Sequence, residues 1–244
     1  HAIESGKGVL VAAPTGAGKT IVGEFAVDLV INSSGKCFYT TPIKALSNQK
    51  FAELTEKYGE SKVGLLTGDT SINSEAQIVV MTTEILRNMI YANSTTIDDL
   101  KYVVMDEVHY LADKFRGAVW EEILIHLSEA VQIISLSATV SNAEEFGEWL
   151  QTVRGDTEVI VSEIRPVPLY QHVLFGNRLL DLFGEDAKLN PELTRLERDS
   201  YRQVRGNWQS KAKGPKPLSR SEIVEKLERE SLLPAITFIF SRNN

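Results

Sequence analysis

Short apolar runs alternate with stretches of helical spacing along most of this 244-residue chain, and this alternation limits the folds open to it. Strands separated by helices are typical of parallel βαβ units, and continuously apolar runs indicate strands covered on both faces. The sequence therefore predicts an α/β fold with a mostly parallel, helix-covered sheet that is complete by Val161. The predicted strands are Val9–Ala13, Cys37–Thr41, Val63–Thr67, Ile78–Thr82, Tyr102–Met105, Gln132–Leu136 and Glu158–Val161, and the predicted helices are Ile21–Ile31, Ile43–Tyr58, Glu84–Tyr91, Val119–Leu127 and Ala143–Leu150.

Composition places this chain among folded proteins of a reducing compartment. Hydrophobic residues make up 43% of the chain and charged residues 24%, which excludes a disordered protein and allows a sizeable core. Cys37 is the one cysteine, so an internal disulfide framework is excluded. Because no apolar stretch is long enough to cross a bilayer and no secretory signal is present, we expect a cytoplasmic protein without a membrane partner.

Charge is unevenly distributed along the chain. The net charge is −7, yet residues 195–220 hold eight basic and two acidic residues. An acidic protein does not attract polyanions through its overall field, so any contact with nucleic acid must come from local basic groups and backbone amides. Four arginines would share one helix face, which either grips a single strand or, in the interpretation that we prefer, forms a solvated surface. They are Arg195, Arg198, Arg202 and Arg205.

The character of the chain changes after residue 165, where Pro166 and Pro168 interrupt the pattern. The elements predicted beyond that point are a strand within Tyr170–Phe175, a helix that begins at Pro191, a flexible linker at 209–217, a second helix at Ser221–Ser231 and a strand at Ala235–Phe240. We therefore divide the chain into an α/β domain at 1–165, a connecting region at 166–234 and the first strand of a second, truncated domain at 235–244.

A glycine-rich loop follows the first apolar run and opens the first helical stretch. Its sequence is Ala13-Pro14-Thr15-Gly16-Ala17-Gly18-Lys19-Thr20, with alanine at the first position instead of the usual glycine. Glycines in such a loop let backbone N–H groups converge on phosphate oxygens at a helix N-terminus. A lysine and a threonine at its end can reach the β- and γ-phosphates and ligate Mg²⁺. The loop therefore predicts a nucleotide site, with Lys19 on phosphate and Thr20 on the metal.

Two adjacent carboxylates follow the strand Tyr102–Met105, at the end where ligands bind in open α/β sheets. Alone, such a pair is more often a solvated turn, but together with a phosphate loop it predicts two separate roles. Asp106 would belong to the Mg²⁺ shell, and Glu107 would orient and deprotonate the attacking water. His109 is a third catalytic candidate, with an ordinary surface histidine as the alternative.

Seven short segments resemble, in order, motifs I, Ia, Ib, Ic, II, III and IV of superfamily 2 helicases. They are Ala13–Thr20, Thr40–Lys50, Thr67–Asp69, Thr82–Arg87, Asp106–His109, Ser137–Thr139 and Phe238–Arg242. The Asp-Glu-Val-His form of the fifth motif, residues 113–122 and Arg165–Leu169 are similar to superkiller-type DExH-box helicases, a group with exosome-associated RNA helicases and bacterial members. The resemblance is dense over 1–170 and sparse over 176–234.

The resemblance implies a first RecA-like P-loop NTPase domain that binds ATP and Mg²⁺, followed by the start of a second RecA-like domain. It also implies a site for single-stranded or partly duplex nucleic acid. Threonine hydroxyls and helix N-terminal amides suit such a site in an acidic protein because they act locally. The nucleic-acid contacts implied are Pro42, Lys44, Ala45, Thr67, Gly68, Thr82, Thr83 and Glu84, and the residues implied to couple nucleotide state to that grip are Ser137, Ala138 and Thr139.

Three functions are open from the sequence: an ATP-dependent RNA helicase with RNA-degradation partners, a DNA helicase, and a degenerate ATPase that serves as a scaffold. The intact pairs Lys19–Thr20 and Asp106–Glu107 oppose the scaffold, and the likeness to the superkiller group favours RNA. In this family the second domain supplies the arginines that stabilise the transition state. We therefore expect the chain alone to bind nucleotide weakly and to hydrolyse it hardly at all.

Overall fold

The structure is a computed structural model that describes residues 1–112, 117–138, 143–184, 186–206 and 218–238. The chain divides into two compact units, residues 1–167 and residues 168–244. The first unit holds the large sheet, and the second holds a small hairpin and two helices.

An eight-stranded sheet forms the centre of the first unit. Its strands are β1 (Gly8–Ala12), β2 (Lys36–Thr41), β3 (Val63–Thr67), β4 (Thr70–Ile72), β5 (Ile78–Thr82), β6 (Leu100–Met105), β7 (Gln132–Ser137) and β8 (Thr157–Val161). Their order is β4-β3-β5-β2-β6-β7-β1-β8, and each neighbouring pair is parallel except β3 with β4. All seven predicted strands are confirmed, and so is the α/β class. The sequence does not predict β4, because three residues are too few for a periodic pattern.

Five helices cover the two faces of this sheet, and all five are predicted by the spacing of apolar residues. They are α1 (Thr20–Ile31), α2 (Lys44–Tyr58), α3 (Thr83–Tyr91), α4 (Gly117–His126) and α5 (Ala143–Arg154). Two short 3₁₀ helices occupy Thr95–Ile97 and Val108–Ala112. The second is separated from β6 by two residues and therefore carries the end of the predicted carboxylate motif.

The core consists of two apolar layers, one on each face of the sheet. Successive strand residues point to opposite faces, so Phe38 joins the layer that contains Trp120 of α4, whereas Tyr39 joins the layer that contains Val27 of α1. Both strand residues are fully buried. Because helices cover both faces, the chemistry that the sheet can present to solvent is confined to the ends of its strands.

The second unit contains an antiparallel hairpin of β9 (His172–Phe175) and β10 (Arg178–Asp181), followed by α6 (Pro191–Gly206) and α7 (Arg220–Arg229). The strand and both helices predicted here are confirmed, whereas β10 is not predicted. A capping box between Ser219 and Glu222 begins α7. Arg195 and Arg198 are exposed on α6, which fits the solvated face preferred above, and the side chains of Arg202 and Arg205 lie outside the described residues.

The strand predicted over Ala235–Phe240 is wrong for its described part. Residues 235–238 have no regular structure, and the side chains of Ile236 and Phe238 are 84% and 77% exposed. A strand needs a neighbour to complete its hydrogen bonds, and none of the described residues pairs with this segment. Residues 209–217 and 239–244 lie outside the described residues, so the linker and the second RecA-like domain stay predictions. Within the described ranges, no helix is both long enough and apolar enough to cross a membrane.

Candidate functional site

The predicted site residues lie along one edge of the sheet, where the parallel strands end. The sheet order places the ends of β3, β5, β2, β6, β7 and β1 side by side. The segments at these strand ends are, in the same order, Thr67–Gly68, Thr83–Glu84, Pro42–Ala45, Asp106–Glu107, Ala138 and Ala13–Thr20. The predicted nucleic-acid contacts therefore occupy one half of the edge, the predicted nucleotide contacts occupy the other half, and β7 lies between β6 and β1.

The glycine-rich loop forms a turn between β1 and α1. Gly16 and Gly18 adopt positive φ angles of 86° and 82°, a conformation that favours glycine over residues with a Cβ atom. Lys19 Nζ donates to the backbone oxygens of Ala13 and Pro14, at 2.6 and 3.1 Å, so the ammonium group folds back over the loop. Thr20 is exposed at the first residue of α1. The loop thus presents a lysine ammonium, a threonine hydroxyl and the N-terminus of a helix in one place.

Asp106 is held in a fixed orientation at the end of β6. Its backbone N–H donates to the oxygen of Thr40 at 3.0 Å, which continues the pairing of β6 with β2. Its Oδ1 accepts from the backbone N–H of Glu107 at 2.9 Å, and its Oδ2 accepts from the Tyr39 hydroxyl at 3.0 Å. Because both oxygens accept a hydrogen bond, the carboxylate has one orientation with lone pairs left for a further ligand.

Tyr39 is a site residue that the sequence analysis does not identify. It lies within the apolar strand β2 and is fully buried, so its hydroxyl requires a partner inside the protein. Burial, and after it the neighbouring Asp106 carboxylate, raise the pKa of Tyr39 well above its ordinary value. The hydroxyl therefore stays protonated and donates to Asp106. The only signal in the sequence is a tyrosine inside an otherwise apolar strand.

Glu107 has a backbone conformation that non-glycine residues rarely adopt, with a φ angle of 56°. Strained residues of this kind cluster at functional sites, where the surrounding structure holds them. Its Oε2 lies 3.1 Å from Nδ1 of His109, yet Nδ1 is buried and makes no hydrogen bond among the described residues. The ring of His109 packs against Tyr110, with centroids 5.0 Å apart. The structure thus places the side chains of Glu107 and His109, two of the candidate catalytic residues, next to each other.

The end of β7 is hydrogen-bonded to the start of the phosphate loop. The backbone oxygen of Ser137 accepts from the N–H of Ala13 at 3.1 Å. The hydroxyl Oγ of Ser137 is buried and has no hydrogen-bond partner among the described residues. Ala138 follows at the sheet edge, and Thr139, the third predicted coupling residue, lies outside the described residues. A buried hydroxyl without a partner is unusual and marks this position as a place for a further contact.

The starts of α2 and α3 are fixed to each other at the nucleic-acid half of the edge. The Thr83 hydroxyl donates to the backbone oxygen of Thr41 at 3.1 Å. The Thr41 hydroxyl contacts the Ser47 hydroxyl at 2.7 Å on the first turns of α2. Pro42 is buried between these contacts, whereas Ala45 is exposed. Two helix N-termini, whose free N–H groups favour anions, therefore lie on adjacent strands of the sheet.

Lys44 and Thr67 both contact Asp69, a carboxylate that is not among the predicted contacts. Lys44 Nζ lies 2.7 and 2.6 Å from the two oxygens of Asp69, and the Thr67 hydroxyl donates to Oδ1 at 3.1 Å. The Lys44 ammonium and then the Thr67 hydroxyl lower the pKa of Asp69. Gly68 is exposed between them, and Thr82 and Glu84 are half-buried on β5 and α3. Lys44 and Thr67, two of the predicted nucleic-acid contacts, therefore already donate hydrogen bonds to a carboxylate of the same chain.

The residues at the nucleotide half fit a Mg²⁺ ion that is shared with a nucleotide. The Thr20 hydroxyl and the Asp106 carboxylate supply oxygen donors, which Mg²⁺ prefers. Among the described residues, no group of three His, Cys, Asp or Glu side chains could hold a metal ion. Mg²⁺ usually combines one or two protein ligands with substrate phosphates and water, and the oxygen donors of Thr20 and Asp106 are of the kind that this mode uses.

Comparisons with known proteins agree on one family. A family model described as DEAD/DEAH box helicase matches residues 1–146. The probable helicase HelY of Mycobacterium tuberculosis is 57% identical over 99% of this chain, and the match covers 28% of that protein. The DExH-box ATP-dependent RNA helicase DExH15 of Arabidopsis thaliana is 41% identical over 97% of this chain and 24% of that protein. Human Superkiller complex protein 2 is 40% identical over 98% of this chain and 20% of that protein.

A solved structure supports the same fold. Helicase Lhr of Mycobacterium smegmatis, bound to single-stranded DNA and AMP-PNP, matches with a TM-score of 0.56 and 30% identity over 66% of this chain and 24% of that protein. The chain thus spans about a quarter of the length of the relatives that it matches. The superkiller resemblance is confirmed, and the chain belongs to the DEAD/DEAH box helicase family, with relatives of the superkiller type.

Proposed function

We propose that this chain binds ATP and Mg²⁺ and, in the full-length protein, couples ATP hydrolysis to movement along RNA and to separation of its strands. One observation carries this proposal. The strand order of the sheet brings the phosphate loop and the Asp106–Glu107 pair to the same edge as the N-termini of α2 and α3. Residues at the ends of neighbouring strands would then bind a nucleotide at one half of the edge and a sugar-phosphate backbone at the other half.

The nucleotide would be held by groups of the phosphate loop and of the segment after β6. Lys19 Nζ would exchange the carbonyl oxygens of Ala13 and Pro14 for phosphate oxygens, which are stronger acceptors because they are charged. Thr20 and Asp106 would hold Mg²⁺, which neutralises charge on the β- and γ-phosphates when it is bound. Glu107 would orient the attacking water and accept its proton. Ser137 ends β7 and Ala138 follows it, beside the loop, and Ser137, Ala138 and Thr139 would couple the two halves.

The nucleic acid would be held by local contacts, since the net charge of −7 gives no general attraction. Helix N-terminal amides of α2 and α3, and the side chains of Lys44 and Thr67, suit phosphate oxygens. Thr83 already donates to Thr41, so its part is to fix the start of α3. The further contacts in this proposal are Pro42, Ala45, Gly68, Thr82 and Glu84.

RNA is the substrate that we propose, and DNA is the second candidate. RNA is supported by the relative whose name is RNA helicase and by the superkiller-type relatives. DNA is supported by the structural relative Lhr, which was solved with single-stranded DNA. RNA-degradation partners and a cytoplasmic location stay predictions, and so does the weak activity of the chain by itself.

The test is ATP hydrolysis by the full-length protein with single-stranded RNA and DNA of equal sequence, compared at one salt concentration. Stimulation by RNA and not by DNA supports the proposal. Equal or greater stimulation by DNA would replace it with a DNA motor, and no turnover with either would favour the scaffold. The isolated 244 residues, measured alongside, should turn over little.

A further inference from the structure

Two buried polar side chains near the nucleotide half have no part in the proposed function. Tyr39 is 0% exposed and Lys50 is 7% exposed. A buried lysine is uncommon unless its charge is paired, and a buried tyrosine hydroxyl needs an acceptor. The Tyr39 hydroxyl donates to Asp106, the Lys50 ammonium pairs with Glu53, and the two side chains also contact each other, which suggests a role beyond packing.

Lys50 lies at the meeting point of three elements. It belongs to α2, on the same buried helix face as Ser47 and Leu54. Its Nζ contacts Glu53 of its own helix and lies 3.8 Å from Oε1 of Glu24 on α1, the helix that begins at the phosphate loop. The same Nζ lies 5.5 Å from the centre of the Tyr39 ring, within the range of a cation–π contact.

Tyr39 continues this series of contacts to the predicted metal ligand. Its ring faces Lys50, and its hydroxyl donates to Oδ2 of Asp106 at 3.0 Å. A shift of α2 would move Lys50 relative to the ring, and the ring carries the hydroxyl that orients the carboxylate. The start of α2 carries Lys44 and Ala45, two of the proposed nucleic-acid contacts, so a ligand there acts on the helix that holds Lys50.

We propose that Tyr39 is a positioning residue for Asp106, and that Lys50 links the position of α2 to Tyr39 so that bound nucleic acid promotes ATP hydrolysis. This inference rests on the proposed function and adds residues to it. The link is separate from the predicted coupling residues at the end of β7, because it runs through β2, which neighbours β6 on the side opposite β7. Tyr39 donates this hydrogen bond to a carboxyl group of the predicted metal site, so its loss should be measurable.

The chain contains a matched control for both residues. Tyr58 also donates its hydroxyl to a carboxylate, that of Asp28, and Lys57 lies 5.0 Å from the centre of the Tyr58 ring. This second set shares the chemistry of the first but contacts none of the proposed nucleotide residues. Tyr58→Phe therefore reports the effect of the same substitution without the link to Asp106. Lys57 also contacts Glu24 at 3.0 Å, the carboxylate near Lys50, so Lys57→Met reports the loss of a lysine that shares this carboxylate but does not face Tyr39.

The experiment uses the full-length protein with Tyr39→Phe, Lys50→Met, the double variant and the two controls. The first measurement is equilibrium binding of a fluorescent ATP analogue as Mg²⁺ is titrated. Tyr39→Phe should raise the Mg²⁺ concentration for half-maximal binding roughly tenfold, as expected for loss of a hydrogen bond to a charged group. The controls should stay within about twofold of the wild type.

The second measurement is the ratio of ATP hydrolysis rates with and without single-stranded RNA, taken on one preparation of each variant. Lys50→Met should lower this ratio roughly threefold, and the double variant should be no lower than the lower single variant. Lys50→Arg should keep the ratio, because it keeps the charge beside the ring. A ratio, unlike a rate, does not depend on the fraction of folded protein.

Several results would overturn the inference. A Mg²⁺ titration of Tyr39→Phe that matches Tyr58→Phe removes the positioning role, and losses that multiply in the double variant remove the link between the two residues. If nucleic acid does not stimulate ATP hydrolysis by the wild-type protein, both the proposed function and the role of Lys50 are overturned. The Mg²⁺ titration would still decide the role of Tyr39, so the two failures are distinguishable.

Discussion

The ammonium group of Lys44 lies between the two carboxylate oxygens of Asp69, at 2.7 and 2.6 Å, on the half of the sheet edge proposed for nucleic acid. Asp69 also accepts from the Thr67 hydroxyl. Because Lys44 lowers the pKa of Asp69, this carboxylate is charged throughout the neutral range. An internal anion therefore occupies the donors that a backbone phosphate would use, and a bound strand has to displace it.

Removing the charge of Asp69 should strengthen nucleic-acid binding. In Asp69→Asn, Lys44 and Thr67 are free to contact phosphate, so affinity for single-stranded RNA at low salt should rise about threefold. One added phosphate contact should steepen the plot of log affinity against log salt by about 0.7. Fluorescence anisotropy across a salt series measures both quantities.

Glu75→Gln is the control for this prediction. Glu75 is an equally exposed carboxylate that accepts from Lys36 at 2.8 Å and from the Thr96 hydroxyl at 3.0 Å. It carries the same charge and the same kinds of partner, but it lies at none of the proposed contacts. Equal gains from both variants would show a general charge effect, and no gain from Asp69→Asn would contradict the local one.

Glu107→Gln should separate nucleotide binding from hydrolysis. The amide keeps the size of the side chain but cannot accept a proton, so the rate of ATP hydrolysis by the full-length protein should fall roughly 10²- to 10⁴-fold. Binding of a fluorescent ATP analogue should be retained. The exposed Glu121 on α4 provides the control Glu121→Gln, which should hydrolyse ATP normally. Normal turnover by Glu107→Gln would exclude the base role.

Gly64→Ala should destabilise the α/β unit. A Cβ atom at this position of β3 would lie 2.1 Å from the backbone oxygen of Asn73, the residue after β4, and a backbone atom gives way less easily than the end of a side chain. We expect a loss of about 3 kcal/mol in the free energy of unfolding, at the upper end for overpacking. Gly68→Ala, where a Cβ atom meets nothing within 4 Å, should change stability by less than about 0.5 kcal/mol. Urea unfolding of the 244-residue chain compares the two, and equal midpoints would refute the prediction.

The thiol of Cys37 should report unfolding of the same unit. This cysteine is fully buried in β2, and burial raises its pKa, so little thiolate forms and reagents cannot reach it. Labelling of the native 244-residue chain by a disulfide reagent should be about a hundredfold slower than labelling in concentrated urea. Rapid labelling without denaturant would mean that β2 opens easily.

The periodicity of the sequence determined the elements of the α/β unit. Seven strands and five helices follow from the spacing of apolar residues, because each pattern needs only a few consecutive residues to be recognised. The chemistry of Lys19, Thr20, Asp106 and Glu107 is equally local, since each residue type has a physical task at its place in a motif. The prediction failed for Ala235–Phe238, because an apolar run becomes a strand only where another strand pairs with it.

The tertiary structure alone decided which of these segments are neighbours. Tyr39 and Asp106 are 67 residues apart and meet only because β2 and β6 pair, so no local pattern predicts their hydrogen bond. Lys44 and Asp69 are likewise brought together by α2 and the end of β3, 25 residues later. Local sequence fixed the chemical groups and the elements that carry them. Long-range packing decided which groups touch, because contacts between distant residues depend on the whole strand order and not on the sequence around either residue.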